Sequence, residues 1–322
     1  MKLQRILMAG IAALTLSACG GDDDDPFVPQ PVVEPGQTDK PTDPTQPTVD
    51  SKNKNKNTGT DIAWRLEFPK TKGGRSEVIL HSTTAYGNTY AIEWDHDLRA
   101  QRWTCFEIHS GNNVKNWARK NWEGTSWGGD PFQHDPKVPS NEQPPVRGEF
   151  SGSYYPGTNA YYQRGHICAS EDRIYSKEAN EQTFYMTNMM PQVGNFNGKI
   201  WADMEDRVRG WAKNVDTLYV CKGGTIDRGD YIVNYTKSGF IVPRYFFMAV
   251  LAKNAQGYKA MAFWIEHLNS YPSNAKVANY VINVRELEQK TGIDFFCNLP
   301  DDVEETVETL AVDAVKRAWG LN

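Results

Sequence analysis

Along the chain, hydrophobic, aromatic and β-branched residues collect in short runs closed off by Gly, Asn and Asp. Such runs cover 77–81, 90–94, 103–108, 217–221, 246–252 and 259–265, and their length and residue types predict β-strands. A different period governs 199–213, where Ile200, Met204, Val208 and Trp211 fall four, four and three residues apart. That spacing lines one face of a helix and predicts a buried apolar stripe. Residues 303–319 show a second helical pattern, and no internal repeat is visible. The mixture predicts a single domain of α/β or α+β type.

The pattern changes at the N-terminus. An apolar run over 6–16 follows Lys2 and Arg5 and ends in Ser17-Ala18-Cys19. It is too short to span a bilayer and reads as an export signal. Leu16-Ser17-Ala18-Cys19 resembles the bacterial lipobox, which implies a signal peptide over 1–18 and lipidation of Cys19; ordinary cleavage near Ala18 is the alternative. The aspartate run 22–25 fits either an acidic leader of surface lipoproteins or a solvated charge run. Residues 26–57 are rich in Pro, Thr, Asp and Gln and finish in Lys52-Asn53-Lys54-Asn55-Lys56-Asn57. With so few apolar groups, 19–58 is expected to form a mobile tether, leaving 59–322 as the folded domain. The expected location is the cell envelope, as an outer-membrane lipoprotein facing the periplasm or the exterior, touching the membrane through its anchor.

Composition narrows the class. The 322 residues are 39% hydrophobic and 12% aromatic, and no apolar run approaches the roughly 20 residues of a spanning helix. A multi-span membrane protein and a wholly disordered chain are excluded. The net charge of −5 argues against coating nucleic acid by bulk electrostatics, while leaving room for a local basic face. Beyond Cys19 there are Cys105, Cys168, Cys221 and Cys297. In an exported domain they predict one disulfide or more, with burial of Cys105 and Cys221 in strands as the alternative. None shows the CxxC spacing of a zinc ribbon.

The densest polar stretch contains Gln163-Arg164-Gly165-His166, Thr187-Asn188-Met189-Met190-Pro191-Gln192, Asn197, Trp201, Glu205 and Arg209. Phosphodiester cleavage needs a base for water, a cation on the phosphate and a metal or acid for the leaving oxygen. His166 titrates near neutral pH and suits the base, although a lone histidine more often serves a hydrogen-bond network. If the stretch is extended, Arg164 and His166 project to one face, where one phosphate could touch both. Gly165 between them permits a close backbone approach. Asn197 and Glu205 share one side of the expected helix but stand about 12 Å apart along its axis. An Asn amide holding a hydrated Mg²⁺, with Glu205 on one of its waters, fits that separation. Helix N-capping is the plainer reading of Asn197. Glu205 and Arg209 read as an i, i+4 ion pair, and Trp201 as an aromatic platform on the same face.

These motifs, in this order, closely resemble the DNA/RNA non-specific endonucleases, the ββα-metal superfamily that includes endonuclease G. The likeness is specific across 161–211 and looser from Trp103 through Gly223-Gly224-Thr225 and Phe246 to Asn298-Leu299-Pro300. It implies an α+β domain with a central antiparallel sheet and a ββα-metal active-site motif. It implies cleavage of DNA and RNA, with little sequence preference, to 5′-phosphate ends. Residue by residue, it makes His166 the general base, Asn197 the direct ligand of Mg²⁺ (or Mn²⁺), and Glu205 a ligand through water. It places Arg164 by the scissile phosphate, Arg209 at the transition state, and Asn188 as a supporting amide. DNA and RNA are the expected partners, and no protein partner is inferred.

Two positions depart from the family pattern. Gln163 stands where an Asp is usual, and a neutral amide supplies no negative charge. Phe132-Gln133-His134-Asp135 resembles a family segment but lacks its preceding arginine, leaving Arg119, Arg147 and His134 as substitutes. Two other readings compete: an inactive nuclease fold kept for interactions, and a glycan-binding lipoprotein stacking sugars on Trp94, Trp103, Trp117, Trp122 and Trp127.

Overall fold

All six predicted runs are neighbours or near-neighbours in one sheet. The computed structural model describes residues 27–28, 52–58, 61–125 and 128–321; Cys19, the aspartate run and Trp127 lie outside these. In chain order the strands are β1 (Ser76–Thr83), β2 (Gly87–Asp95), β3 (Ala100–His109), β4 (Tyr162–His166), β5 (Met189–Val193), β6 (Thr217–Gly224), β7 (Ile232–Tyr235), β8 (Ile241–Pro243), β9 (Tyr245–Asn254), β10 (Gly257–Glu266) and β11 (Val281–Ile282). The helices are α1 (Lys177–Gln182), α2 (Trp201–Trp211), α3 (Val284–Thr291), α4 (Asp301–Glu308) and α5 (Val312–Ala318). The large sheet runs β1-β2-β3-β6-β9-β10-β11 and is antiparallel throughout, while β4-β5 and β7-β8 form separate ribbons. The fold is therefore α+β around a central antiparallel sheet.

Both faces of that sheet are covered. Phe106, Ile108, Leu218, Val220, Met248 and Val250 join one core with Ile200, Met204 and Val208. Their neighbours one residue away, Trp103, Cys105, Tyr219, Cys221, Phe247 and Ala249, join a second core with Val284, Leu287, Val303 and Val307. The two-residue strand repeat sorts alternate side chains between the cores.

Three expectations need correction. The 303–319 pattern is two helices, because Val303 and Val307 of α4 belong to the second core whereas Val315 and Trp319 belong to the first. The chain must change direction between them, at 309–311. The end of the expected tether is docked on the domain. Asn53 is buried and donates to the carbonyls of Cys297 (3.1 Å) and Leu299 (2.5 Å), Asn55 donates to Asp294 and Glu304, and Asn57 donates to the carbonyls of Ala63 and Pro69. Alternate asparagines thus turn to the same side and satisfy buried acceptors, which composition alone does not reveal. Finally, all four cysteines are free, buried thiols. Cys105 and Cys221 face each other in register across β3 and β6, while Cys168 lies in the other core. Burial pushes the Cys168 thiol up to about 12 and those of Cys105 and Cys221 well above their ordinary value, so the three are unreactive.

Candidate active site

Strand alternation places the first two groups. Arg164 and His166, two apart on β4, both line a cleft of about 690 Å³. Gly165 faces the buried Gln192 side chain on β5, where an added Cβ would overlap it. The close approach expected at this glycine is present, and it lets the ribbon close.

His166 is held edge-on against Phe184, 5.0 Å between ring centroids at 88°, with Phe132 at 5.5 Å. Its Nε2 has no hydrogen-bond partner among the described residues. Burial, reinforced by the positive charges of Arg119, Lys222 and Arg164, pushes its pKa down to about 3. At neutral pH the imidazole is therefore uncharged, and the near-neutral titration expected from the sequence is displaced well downward by burial and the neighbouring cations.

Cations surround it. The Arg164 guanidinium sits over Phe132, 3.5 Å from the ring centroid, donates to the Val146 carbonyl (3.1 Å), and lies 3.2 Å from Asp130. Arg147 approaches the same carboxylate at 3.4 Å. Arg119 lines the cleft with its guanidinium 5.4 Å from the Phe184 ring and forms no ion pair among the described residues. Arg209 enters from α2. The cleft lining carries these four arginines against the carboxylates Glu171 and Glu205, with Asp130, Asp172 and Asp206 pairing three of the four. A chain of net charge −5 thus lines this cleft with more cations than anions and leaves Arg119 without a carboxylate partner among the described residues. His134 turns away to the Pro144 carbonyl at 3.3 Å, which leaves Arg119 and Arg147 of the three substitutes.

Asn197 and Glu205 reach the same cleft, but not as one helix. Asn197 lies in a π-helical turn, Phe196–Ile200, that feeds α2. It caps nothing; its Nδ2 donates to Gln163 Oε1 at 2.8 Å. Gln163 thus orients Asn197 and leaves the amide oxygen without a partner among the described residues. Glu205 pairs with Lys222 and not with Arg209, which instead bonds Asp172 (2.7 Å) and Asp206. Burial raises the Glu205 pKa, and the Lys222 charge opposes that rise. Trp201 is no platform: it is buried, stacked on Phe196 at 5.4 Å, with the Lys222 ammonium 5.0 Å from its ring. No cluster of three His, Cys, Asp or Glu suited to a metal occurs among the described residues. An amide oxygen and one carboxylate are instead the hard, sparse donors that a largely hydrated Mg²⁺ accepts.

Asn188 lies outside the cleft. Fully buried, it accepts from the Cys168 N–H (2.8 Å) and donates to the carbonyls of Cys168 (2.9 Å) and Thr183 (2.8 Å), clamping the chain just beyond His166. Trp94, Trp103 and Trp122 are buried in the cores and offer no sugar platform.

Two residues escaped the sequence reading. Lys222 continues the inward repeat Leu218, Val220 on β6, and a lysine in such a series is the signal that would have marked it. His267 accepts from the Val193 N–H (2.9 Å) and pairs with the Pro243 carbonyl (3.0 Å), fixing the end of β5 just before the π turn. It carries no local sequence signal.

Comparison with known proteins agrees with this geometry. The chain is 26% identical over 219 residues to Nuclease C1 of Cunninghamella echinulata var. echinulata, covering 66% of this chain and 81% of that protein. It is 27% identical over 229 residues to a Nuclease of Nostoc sp., covering 69% and 76%. Against human mitochondrial Endonuclease G it is 26% identical over 160 residues, 46% of this chain and 54% of that one. A chain in the crystal structure of the EndoG/EndoGI complex shares the fold, with a TM-score of 0.54 and 20% identity, over 70% of this chain and 89% of that chain. Residues 77–302 match the model of the DNA/RNA non-specific endonucleases, and the chain belongs to that family of nucleases.

Proposed function

We propose that this nuclease is a metal-dependent endonuclease that hydrolyses DNA and RNA to 5′-phosphate ends, with His166 as general base. The observation that carries this is the convergence on one cationic cleft of an uncharged imidazole, four arginines, and the Asn197 and Glu205 side chains. Arg164, with Arg119 or Arg147, holds the phosphate. His166 takes a proton from water as that water attacks phosphorus, and the bond to the 3′ oxygen breaks. Arg209, anchored by Asp172, is set to meet the charge that grows on the phosphoryl oxygens. Asn197 directly, and Glu205 through water, would hold Mg²⁺ or Mn²⁺. A bound divalent ion would supply charge neutralisation at the phosphate and at the leaving oxygen. Lys222 keeps the Glu205 carboxylate in place.

Circular and linear duplex DNA and RNA, incubated with the full chain and Mg²⁺, test this. Nicking of the circle that disappears in chelator and in His166→Ala supports it, whereas unchanged cutting in either control sinks the metal or the base. The inactive-fold reading gains nothing from Gln163, whose amide still holds Asn197. The 16–19 segment supports a lipid anchor at Cys19 and a place in the cell envelope. Release of a Cys19→Ser variant from the membrane fraction checks this, and its retention would refute it.

A further inference from the structure

The segment 153–162 leads directly into the catalytic strand and holds two pairs of adjacent tyrosines. It closes as a small hairpin, with Tyr162 N–H bonded to the Ser153 carbonyl (3.0 Å) and Tyr155 N–H to the Ala160 carbonyl (2.9 Å). Alternation splits the four rings. Tyr155 and Tyr162 turn inward onto His267, at 6.0 and 6.1 Å between centroids. Tyr154 and Tyr161 are bridge partners, so their side chains leave the hairpin on its other face. They are 53% and 52% exposed, and neither ring takes part in a ring contact among the described residues.

Exposed aromatic rings need an explanation only when their setting names a partner, and here it does. Tyr161 lines the cationic cleft together with Gln163, Arg164 and His166, and stands three residue steps, about 10 Å along the strand, before Arg164 on the face that Gln163 shares. A polymer whose phosphate meets Arg164 and His166 carries a neighbouring base past Tyr161. We propose that Tyr161, extended by Tyr154, is a stacking platform for an unpaired base of the substrate strand, which directs the enzyme to single-stranded stretches. The inference rests on the nuclease cleft described above and adds a substrate class to it. Phosphate charge supplies attraction from the arginines, and the ring faces take bases of any identity, as a sequence-tolerant nuclease requires. In a duplex both faces of each base are covered by neighbours, so the platform has nothing to bind there.

Binding by the full chain in chelator separates stacking from chemistry. Three labelled probes of about twelve nucleotides, within the usual footprint of single-strand sites, are a single strand, its duplex, and an abasic strand with the same phosphates. Tyr161→Ala is expected to weaken single-strand binding roughly 5- to 150-fold, the worth of one stacked base, with duplex and abasic binding changed less than about twofold. Tyr161→Phe keeps the ring and restores binding; Tyr161→Leu does not. Equal losses on all three probes, no loss on the single strand, or no single-strand binding by the parent protein would each overturn the proposal. If the parent binds the strand but fails to cut it once Mg²⁺ is added, the hydrolytic reading fails while the platform stands.

Discussion

The two sides of the sheet bury charge in opposite ways. On the cleft side a base, His166, sits among cations that add to desolvation in pushing its pKa down to about 3, while the cleft's Glu205 is raised by burial and held by Lys222. On the far side the buried groups are acids. Glu288, Glu304 and Glu308 crowd around Arg285, which reaches Glu288 at 2.9 Å and Glu308 at 3.1 Å, and burial pushes the three up to about 7, 8 and 10. Desolvation acts on both sides; the sign of the shift follows from which protonation state is charged. Neutrality serves proton transfer in the cleft. Across the sheet the Asn55 amide donates to Asp294 and Glu304, opposing part of the rise in the Glu304 pKa while holding the N-terminal segment.

The largest effect expected from breaking this contrast is on catalysis. His166→Ala should lower the cleavage rate by about 10² to 10⁴-fold, the usual worth of a general base, while the domain stays folded. Parallel rate and thermal-melt measurements check it, and a lost fold would mean the histidine is structural.

Next comes the Glu205–Lys222 pair. Lys222→Met leaves a largely buried carboxylate without its cation and should cost about 3 kcal/mol, read by denaturant unfolding. Adding Glu205→Gln should return most of the stability but not the activity. If the double variant cleaves like the parent, Glu205 has no part in the reaction.

The pH dependence of stability sharpens the comparison further. His166 and His267 have folded pKa values, about 3 and about 4, below that of a free histidine. The unfolded chain therefore binds their protons first, and the stability they contribute above about pH 6.5 is lost as pH falls toward those values. The far-side carboxyls do the reverse. Their folded values lie above the unfolded one, so the stability is full below about pH 4.5 and drains as pH rises through 7 to 10. Melting curves from pH 4 to 10 should show both limbs, and Glu308→Gln should flatten only the alkaline one. A flattened acid limb would mean that the two regions are coupled.

The smallest effect belongs to the docked segment. Asn53→Ala removes two buried hydrogen bonds and should cost about 1–2 kcal/mol and speed proteolysis near 52–58, with cleavage of nucleic acid unchanged. Any loss of nuclease activity would show that the segment reaches the cleft after all.

What was legible in the sequence follows from range. The strands of the large sheet and the α2 stripe are local periodicities, and Arg164, Gly165 and His166 owe their arrangement to a five-residue extended strand. The roles around them are set by distant partners. Asn197 looked like a helix cap until Gln163, 34 residues earlier, accepted its amide proton. Glu205 looked paired with Arg209 until β6 delivered Lys222 and the segment before α1 delivered Asp172. Trp201 looked exposed until Phe246 of β9 and Lys222 of β6, both distant in sequence, closed over it.

By itself, then, the order of residues determined six of the seven strands of the large sheet, the α2 stripe, the family, and the kinds of chemical group available, because each rests on short-range pattern or on motif identity. Only the tertiary structure decided which charges meet, that the asparagine segment docks, that four thiols stay free, and that a net acidic chain gathers four arginines at one cleft. Those outcomes depend on contacts between residues far apart in the chain, and on a desolvation energy that exists only once the surrounding core has formed.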